Sequence, residues 1–168
     1  MSISKDLQDQ INNLYDQCLE NFEQFHIKID LFEISEALAL KIKEKTNLDL
    51  FGFWVCIDNF GVLHTLENHG NPISEARRGQ IAVEKEDFVT MVDVCLNPDD
   101  IKFIGNSKHT QKPLLQFEKK IENKIFVVKE VRIITSTKKN KLNRLVFHTM
   151  YKIKVFFKTR MLNKNKFL

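Results

Sequence analysis

The side chains best suited to proton transfer and anion binding are concentrated in one segment of seventeen residues, HTLENHGNPISEARRGQ, from His64 to Gln80. The segment has few apolar residues that could build a core, so its composition favours chemistry over packing. An imidazole with a pKa near neutrality can both accept and return a proton, which makes His64 and His69 candidates for acid–base catalysis. The alternatives are a packed structural residue for His64 and a helix-capping or surface residue for His69.

The spacing of these two histidines argues against a metal site. On a helix, residues five apart point about 140° apart, so His64 and His69 would not share a face as metal-binding pairs four residues apart do. Cys18, Cys56 and Cys95 are widely spaced and lie in apolar runs, which predicts buried free thiols rather than zinc ligands or a disulfide framework. We therefore predict no metal and no cofactor.

Glu75 and Arg78 are three residues apart and would face the same way on a short helix. One interpretation is an ordinary ion pair on the surface. The other makes Arg78 a phosphate clamp, because a planar guanidinium can bind two oxygens at once. Gln80 can offer its amide to a base or a phosphate.

Two predicted strands carry further candidates. On the strand Lys124–Ile134, alternation places Glu130 and Arg132 on one face together with Phe126 and Val128. A charged pair in the middle of a strand either forms a structural salt bridge or lines an open face of the sheet, because burying it unpaired is costly.

The last predicted strand is Arg144–Lys154. Alternation along it places Thr149 and Tyr151 on one face, and His148 and Lys152 on the other. Threonine is a common strand residue, so its presence alone does not indicate a site.

Hydrophobic spacing predicts the elements that position these residues. Apolar residues every three or four positions from Ile3 to Phe25 predict an amphipathic helix. Further helices are predicted at Glu36–Lys45, capped by Ser35, and at Lys85–Leu96.

Strand-like runs fill most of the remaining chain. Phe51–Ile57 is predicted to be a strand that turns back at Asp58–Gly61 as a hairpin leading into the histidine segment. The other predicted strands are Ile27–Leu31, Ile101–Ile104, Leu114–Ile121, Lys124–Ile134 and Arg144–Lys154. Helices followed by strands predict an α+β fold with an antiparallel β-sheet meander.

Charge is divided sharply along the chain, although the net charge is only +4. From Lys119 to the end there are fifteen Lys and Arg against two acids, whereas residues 1–118 carry eleven against twenty. A basic half of this strength favours nucleic acid as a partner, and the alternative is a solvated sheet face balanced by the acidic half. The N-terminus lacks a signal core and no apolar run approaches 18 residues, so we predict a cytoplasmic protein without a membrane segment.

Four motifs, in this order along the chain, resemble the phage-associated nuclease-like domains grouped with barnase, EndoU, the tRNA-cleaving colicins and RelE. They are HTLENHGNPISEARRGQIAVEKEDF, LNPDDI, VVKEVRI and FHTMYKIK. The resemblance divides the chain into an N-terminal helical segment with a short strand (1–47), a nuclease domain (48–154) and a basic tail (155–168). It implies a compact α+β fold and metal-independent RNA cleavage, often of tRNA or translating mRNA, by toxins of phages and mobile elements.

Carried over residue by residue, the resemblance supports a set of site residues. The predicted catalytic residues are His64, His69, Arg78, Glu130, Arg132 and Thr149. The predicted substrate-binding residues are Gln80, Tyr151 and Lys152 from the resemblance, and Glu75 from its spacing to Arg78. In this interpretation His69 transfers protons with His64 or Glu130 as its counterpart, and the arginines stabilise the phosphate.

We therefore predict a toxin-like or phage-derived endoribonuclease with RNA as its substrate. The N-terminal helix and the basic tail lie outside the resemblance and are candidates for contact with the RNA or with a neutralising antitoxin or immunity protein. The alternatives are a nucleic-acid-binding module without catalytic activity and a phage accessory protein that acts through its N-terminal helix. No feature of the sequence indicates an oligomeric state.

Overall fold

The computed structural model describes residues 3–20, 26–136, 138 and 142–155. The helices in this part of the chain are α1 (Lys5–Glu20), α2 (Glu36–Thr46), α3 (Asn59–His69), α4 (Pro72–Arg77) and α5 (Lys85–Leu96). The strands are β1 (Lys28–Glu33), β2 (Trp54–Asp58), β3 (Gln80–Ile81), β4 (Asp100–Asn106), β5 (Pro113–Ile121), β6 (Lys124–Ile134), β7 (Arg144–Val146) and β8 (Thr149–Lys154). The predicted α+β class is confirmed. The predicted end of the first helix at Phe25 and the basic tail after Val155 lie outside the described residues.

The eight strands form one sheet in the order β1-β2-β7-β6-β5-β4, with β8 beside β6 and β3 beside β8. β4, β5 and β6 follow one another as the predicted antiparallel meander. β2 and β7 run parallel, so the sheet as a whole is mixed. β6 is the central strand, since its first half pairs with β8 and its second half with β7.

The core lies between the sheet and the helices. α5 packs on β5 and β6, and α1 packs on α5 and α3. Ile11 and Leu14 of α1 join Phe88 and Met91 of α5 in one buried cluster with residues of the strands. Burying side chains of this size stabilises the fold by about 1.5–3 kcal/mol each. No helix in the described part of the chain is long and apolar enough to cross a membrane.

Cys18, Cys56 and Cys95 are buried free thiols, as predicted. Burial raises the pKa of Cys18 to about 11 and the pKa of Cys56 to about 12. Burial raises the pKa of Cys95 as well. Since the thiolate is the reactive form, these side chains are poor nucleophiles at neutral pH.

The hairpin predicted at Asp58–Gly61 is wrong, because the chain begins a helix there. β2 ends at Asp58, whose Oδ1 accepts a hydrogen bond from the Gly61 N–H at 2.9 Å. This is the N-cap interaction that favours aspartate before the first turn of a helix. Both candidate histidines, His64 and His69, therefore lie on α3.

The single strand predicted at Arg144–Lys154 is also wrong. β7 ends at Val146 and β8 begins at Thr149, so Phe147 and His148 separate two strands. Phe147 still belongs to the buried core cluster, but the next core residue is Met150. The interruption therefore shifts by one position the alternation of side chains between the two faces of the sheet.

A β-bulge interrupts β6 where this strand pairs with β5. Gln116 of β5 lies opposite two residues of β6, Lys129 and Glu130. Glu130 has a φ of 58°, in the left-handed region that costs a residue with a side chain about 1–2 kcal/mol. Bulges re-aim side chains and often lie beside active sites.

The bulge overturns the predicted face of Glu130 and Arg132. Phe126 and Val128 belong to the buried core cluster together with Val131, three positions further on. Glu130 and Arg132 instead line an open pocket. The prediction assumed unbroken alternation, which one additional residue in the strand reverses.

α3 lies directly against the connection between β7 and β8. A Cβ atom built on Gly61 would be 2.6 Å from the Phe147 carbonyl oxygen and 2.9 Å from Phe147 Cδ1. Real Cβ atoms do not approach other heavy atoms this closely. Only glycine therefore allows α3 to pack on this connection without a shift.

We expect Gly61→Ala to destabilise the protein by about 1–3 kcal/mol, because the added methyl group overpacks the contact with Phe147. Alanine would otherwise stabilise a helix relative to glycine by about 0.5–1 kcal/mol, so the sign of the effect is informative. Urea unfolding measures it. Glu67→Ala, at an exposed position of α3, is the control and should change stability by less than about 0.5 kcal/mol. A Gly61→Ala protein at least as stable as the wild type would contradict the close contact.

Candidate active site

The histidine segment folds back on itself through a tight connection between α3 and α4. Asn71 caps α4, since its side-chain oxygen accepts two backbone N–H groups of that helix at 2.9 and 3.1 Å. Pro72 occupies the first helical position, where a missing N–H costs nothing. The short α4 then returns Glu75 to the end of α3, beside His69.

Glu75 is fully buried and holds both neighbouring site residues. Its Oε2 lies 3.1 Å from Nδ1 of His69, and its Oε1 accepts a hydrogen bond from Nη1 of Arg78 at 2.9 Å. These partners satisfy a carboxylate that would be costly to bury alone. Because Nδ1 is engaged, Nε2 is the nitrogen of His69 that can exchange a proton with a ligand. The side chain of Glu75 has no exposed surface, and its predicted direct contact with substrate stays a prediction.

The structure shows the predicted ion pair of Arg78, and the phosphate clamp stays a prediction. Arg78 forms the i, i+3 ion pair with Glu75 and also donates to the Asn68 carbonyl at 2.8 Å. Its side chain is nevertheless 51% exposed. A guanidinium carries five N–H donors, so a pair of this kind leaves donors for an anion.

Two adjoining pockets open beside these residues. The helix-side pocket has a volume of about 350 Å³ and is lined by His64, Asn68, His69, Arg78, Gln80, Lys129, Glu130, Thr149 and Tyr151. The hairpin-side pocket, of about 540 Å³, is lined by His64, Glu130, Arg132, His148, Leu114 and residues 106–110 of the β4–β5 hairpin. His64 and Glu130 line both pockets. Eight of the ten predicted site residues therefore lie around one cleft.

Lys152 does not belong to the cleft. It is 3% exposed, and its Nζ lies 2.7 Å from Oδ2 of Asp87 on α5. The shift in alternation before β8 aims Lys152 at the helices instead of the pocket. Lys152 is therefore engaged in an ion pair away from the two pockets, and its predicted contact with substrate stays a prediction.

His148 is a site residue that sequence reasoning missed. Its ring stacks on His64 with centroids 4.1 Å apart, and its Nε2 lies 3.6 Å from Oε2 of Glu130. Alternation separated His148 from Thr149, whereas the structure places both residues along the cleft. The one indication of a role for His148 in the sequence was its residue type, because no turn-forming residue marks the interruption between β7 and β8.

Burial lowers the pKa of His148 below its ordinary value, and the nearby His64 and Arg132 lower it further. Glu130 opposes the shift. The imidazole of His148 is therefore predominantly neutral at neutral pH.

Buried polar atoms without a partner gather in this cleft. Among the described residues, the buried side-chain atoms that lack a hydrogen-bond partner in the protein are Gln80 Oε1, Arg132 Nε, His148 Nδ1 and Thr149 Oγ1. Each of these four residues lines one of the two pockets. Unsatisfied polar groups are costly, and their concentration at one place is typical of a site that binds a polar ligand.

The cleft also carries an excess of cationic side chains. Arg78 and Lys129 line the helix-side pocket, and Arg132 and Lys108 line the hairpin-side pocket. Among the described residues that line either pocket, Glu130 is the one carboxylate. This balance favours an anionic ligand.

One family model matches the chain, over residues 33–160, and its description is phage-Barnase-EndoU-ColicinE5/D-RelE like nuclease3. The match covers well over half of the chain and includes every residue that lines the cleft. No curated protein and no solved structure matches the chain.

We expect the wild-type protein to lose stability as the pH falls through about 6.5, and part of this loss to disappear in His148→Gln. The pKa of His148 is lowered in the folded state, so between its folded and unfolded values the unfolded chain binds more protons and acid favours unfolding. Urea unfolding at several pH values measures this. His26→Gln, at a histidine whose side chain is 59% exposed, should retain the full loss. Identical pH profiles for wild type and His148→Gln would contradict the burial of a neutral imidazole.

Proposed function

The chain belongs to the family of phage nucleases of the Barnase-EndoU-Colicin-RelE type, and we propose that it is an endoribonuclease. In this proposal it cleaves RNA without a metal ion. One observation carries the proposal. The buried carboxylate of Glu75 fixes an imidazole and a guanidinium side by side at the edge of an electropositive cleft. A proton-transfer group next to a phosphate-binding group is what RNA cleavage requires.

The reaction begins when the 2′-hydroxyl of a ribose attacks the adjacent phosphorus. A general base takes the hydroxyl proton, and a new P–O2′ bond forms while the P–O5′ bond breaks. A general acid protonates the departing 5′ oxygen. The products are a 2′,3′-cyclic phosphate and a 5′-hydroxyl, and negative charge on the phosphoryl oxygens must be stabilised during the exchange.

The cleft contains side chains for each of these steps. His69 transfers one proton through Nε2, because Glu75 engages its other nitrogen. His64 or Glu130 transfers the other proton, since both line the same pocket as His69. His148 is a positioning residue, as it stacks on His64 and lies beside Glu130. Orientation of a histidine by a buried carboxylate is a recurrent arrangement in acid–base catalysis.

Arg78 and Arg132 stabilise the phosphate, one from each pocket. A guanidinium can contact two phosphoryl oxygens at once, which suits the charge that develops in the transition state. Lys129 and Lys108 extend the positive potential and attract the RNA backbone, so binding weakens as salt is added.

The unpartnered groups of the cleft are suited to contacts with the nucleotide. Thr149 can orient the phosphate, and Gln80 can hydrogen-bond a base or a phosphate. Tyr151 lies against His69 with ring centroids 5.7 Å apart. Burial raises the pKa of Tyr151, so its hydroxyl stays protonated and can donate a hydrogen bond.

A toxin-like role in the cytoplasm, tRNA or mRNA as the target, and a neutralising antitoxin or immunity protein stay predictions. The division of the chain at residues 47 and 154 also stays a prediction. β1 and α2, in the predicted N-terminal segment, belong to the same folded unit as the cleft through the common sheet and core.

The test is cleavage of total tRNA and of a structured mRNA in the presence of EDTA. We expect discrete fragments that end in cyclic phosphate, and a loss of rate of about a hundredfold or more in His69→Gln. Arg78→Ala should lose about a hundredfold, because it removes a charge aimed at the phosphate.

Two variants serve as matched controls. His26→Gln removes an exposed histidine outside the cleft, and Arg77→Ala removes the exposed arginine next to Arg78. Both should cleave at nearly the wild-type rate. Wild-type protein that is folded and binds RNA but yields no fragments would replace the nuclease with a binding module. Cleavage that survives in His69→Gln would remove His69 from the mechanism.

A further inference from the structure

Three side chains with metal-binding atoms converge where the two pockets meet. His64 comes from α3, Glu130 from the bulge of β6, and His148 from the connection between β7 and β8. Each offers one ligand atom, and these atoms lie within 4.8 Å of one another. All three side chains are partly buried. No stretch of sequence contains this set, because its members are distant along the chain.

We propose that His64, Glu130 and His148 form a binding site for a divalent transition-metal ion, zinc by preference, and that the ion inhibits the nuclease when it binds. Two imidazoles and one carboxylate are a ligand set that zinc uses in sites with an open fourth position. Since all three residues line the cleft, a fourth ligand would reach the ion from there. The inhibition rests on the proposed function, whereas binding of the metal does not.

One of the distances between the ligand atoms already matches the geometry of zinc, and the others lie within 4.8 Å. Tetrahedral coordination with bonds of about 2.0–2.2 Å places ligand atoms about 3.3–3.6 Å apart. Nε2 of His148 and Oε2 of Glu130 are already 3.6 Å apart. The side chains of both residues keep part of their surface exposed, 25% for His148 and 39% for Glu130. Binding one ion requires the stacked rings of His64 and His148 to turn, so that both present a ring nitrogen to it.

The composition of the cluster selects among cations. Mg²⁺ and Ca²⁺ require mostly oxygen ligands, and the cluster offers a single carboxylate. Imidazole favours Zn²⁺, Cu²⁺, Ni²⁺ and Co²⁺. The guanidinium of Arg132 lines the same pocket and repels any cation there, so it limits the affinity of the site.

Metal and RNA cleavage compete for the same groups. A metal ion would occupy the ring nitrogen of His64 and the carboxylate of Glu130, and one of these two groups is the proton-transfer counterpart of His69. Bound metal therefore removes acid–base chemistry from the cleft. Removal of the metal by a chelator restores it.

The first test is a titration of the untagged protein with Co²⁺, whose visible absorption reports coordination by nitrogen and oxygen ligands. We expect one ion per chain, displaced by Zn²⁺ and not by Mg²⁺. His148→Gln and Glu130→Gln should each weaken Co²⁺ binding by about tenfold or more. Arg132→Gln should strengthen it, because a repelling charge is removed.

Control variants and circular dichroism keep this test interpretable. His26→Gln removes an exposed histidine away from the cluster and should leave Co²⁺ binding unchanged. Circular dichroism confirms that each variant is folded. Absence of Co²⁺ binding by the wild type, or equal binding by His148→Gln, would overturn the site.

The second test adds Zn²⁺ to metal-depleted protein during RNA cleavage. We expect the cleavage rate to fall as Zn²⁺ is added. The Zn²⁺ concentration that halves the rate should match the dissociation constant of Zn²⁺ obtained from the displacement of Co²⁺, and EDTA should restore the rate. The remaining activity of His148→Gln should no longer respond at that concentration. A rate that is insensitive to bound Zn²⁺, or that requires it, would overturn the inhibition. If the metal-depleted protein cleaves no RNA at all, the proposed function fails, and the Co²⁺ titration still decides the metal site.

Discussion

The close contact between Gly61 and Phe147 is the constraint on which the cleft depends. A helix can approach the strand connection this closely only because position 61 has no side chain. The approach places His64 on the ring of His148 and sets the end of α3 beside β8, where His69 meets Tyr151. A helix shifted outward by one methyl group would separate the pairs that form the site.

A second constraint is the burial of a charge. Glu75 has no exposed surface, so its carboxylate must be satisfied by protein groups, and His69 and Arg78 are those groups. The cost of leaving the carboxylate unpaired holds both side chains in place before any ligand arrives. On the opposite wall of the cleft, the backbone of Glu130 adopts a strained left-handed conformation, which the surrounding structure must hold in place before any ligand arrives.

The sequence predicted the parts of the site that depend on residue type and local spacing. The histidine segment, Arg78 and Glu130 were recognised because few other residues could do such chemistry, and the α+β class followed from hydrophobic periodicity. The turn predicted at Asp58–Gly61 failed because Asp58 caps a helix, and the errors in the faces of the strands share another cause. The prediction that successive side chains alternate between the two faces of the sheet assumes unbroken strand pairing. The bulge at Glu130 and the interruption at His148 each reverse the face on which the following side chains lie. For this reason alternation separated His148 from Thr149, although both line the cleft. Lys152, which pairs with Asp87 among the helices, entered the predicted set through the family resemblance and not through alternation.

The proposed reaction requires a ribose 2′-hydroxyl as the nucleophile. The most direct measurement compares cleavage, by the protein in EDTA, of two oligonucleotides with one sequence, the first entirely of ribonucleotides and the second entirely of 2′-deoxyribonucleotides. We expect that only the ribonucleotide strand is cut and that its fragments end in cyclic phosphate. Cleavage of both strands at similar rates would contradict the proposed reaction, because the deoxy strand lacks the attacking group.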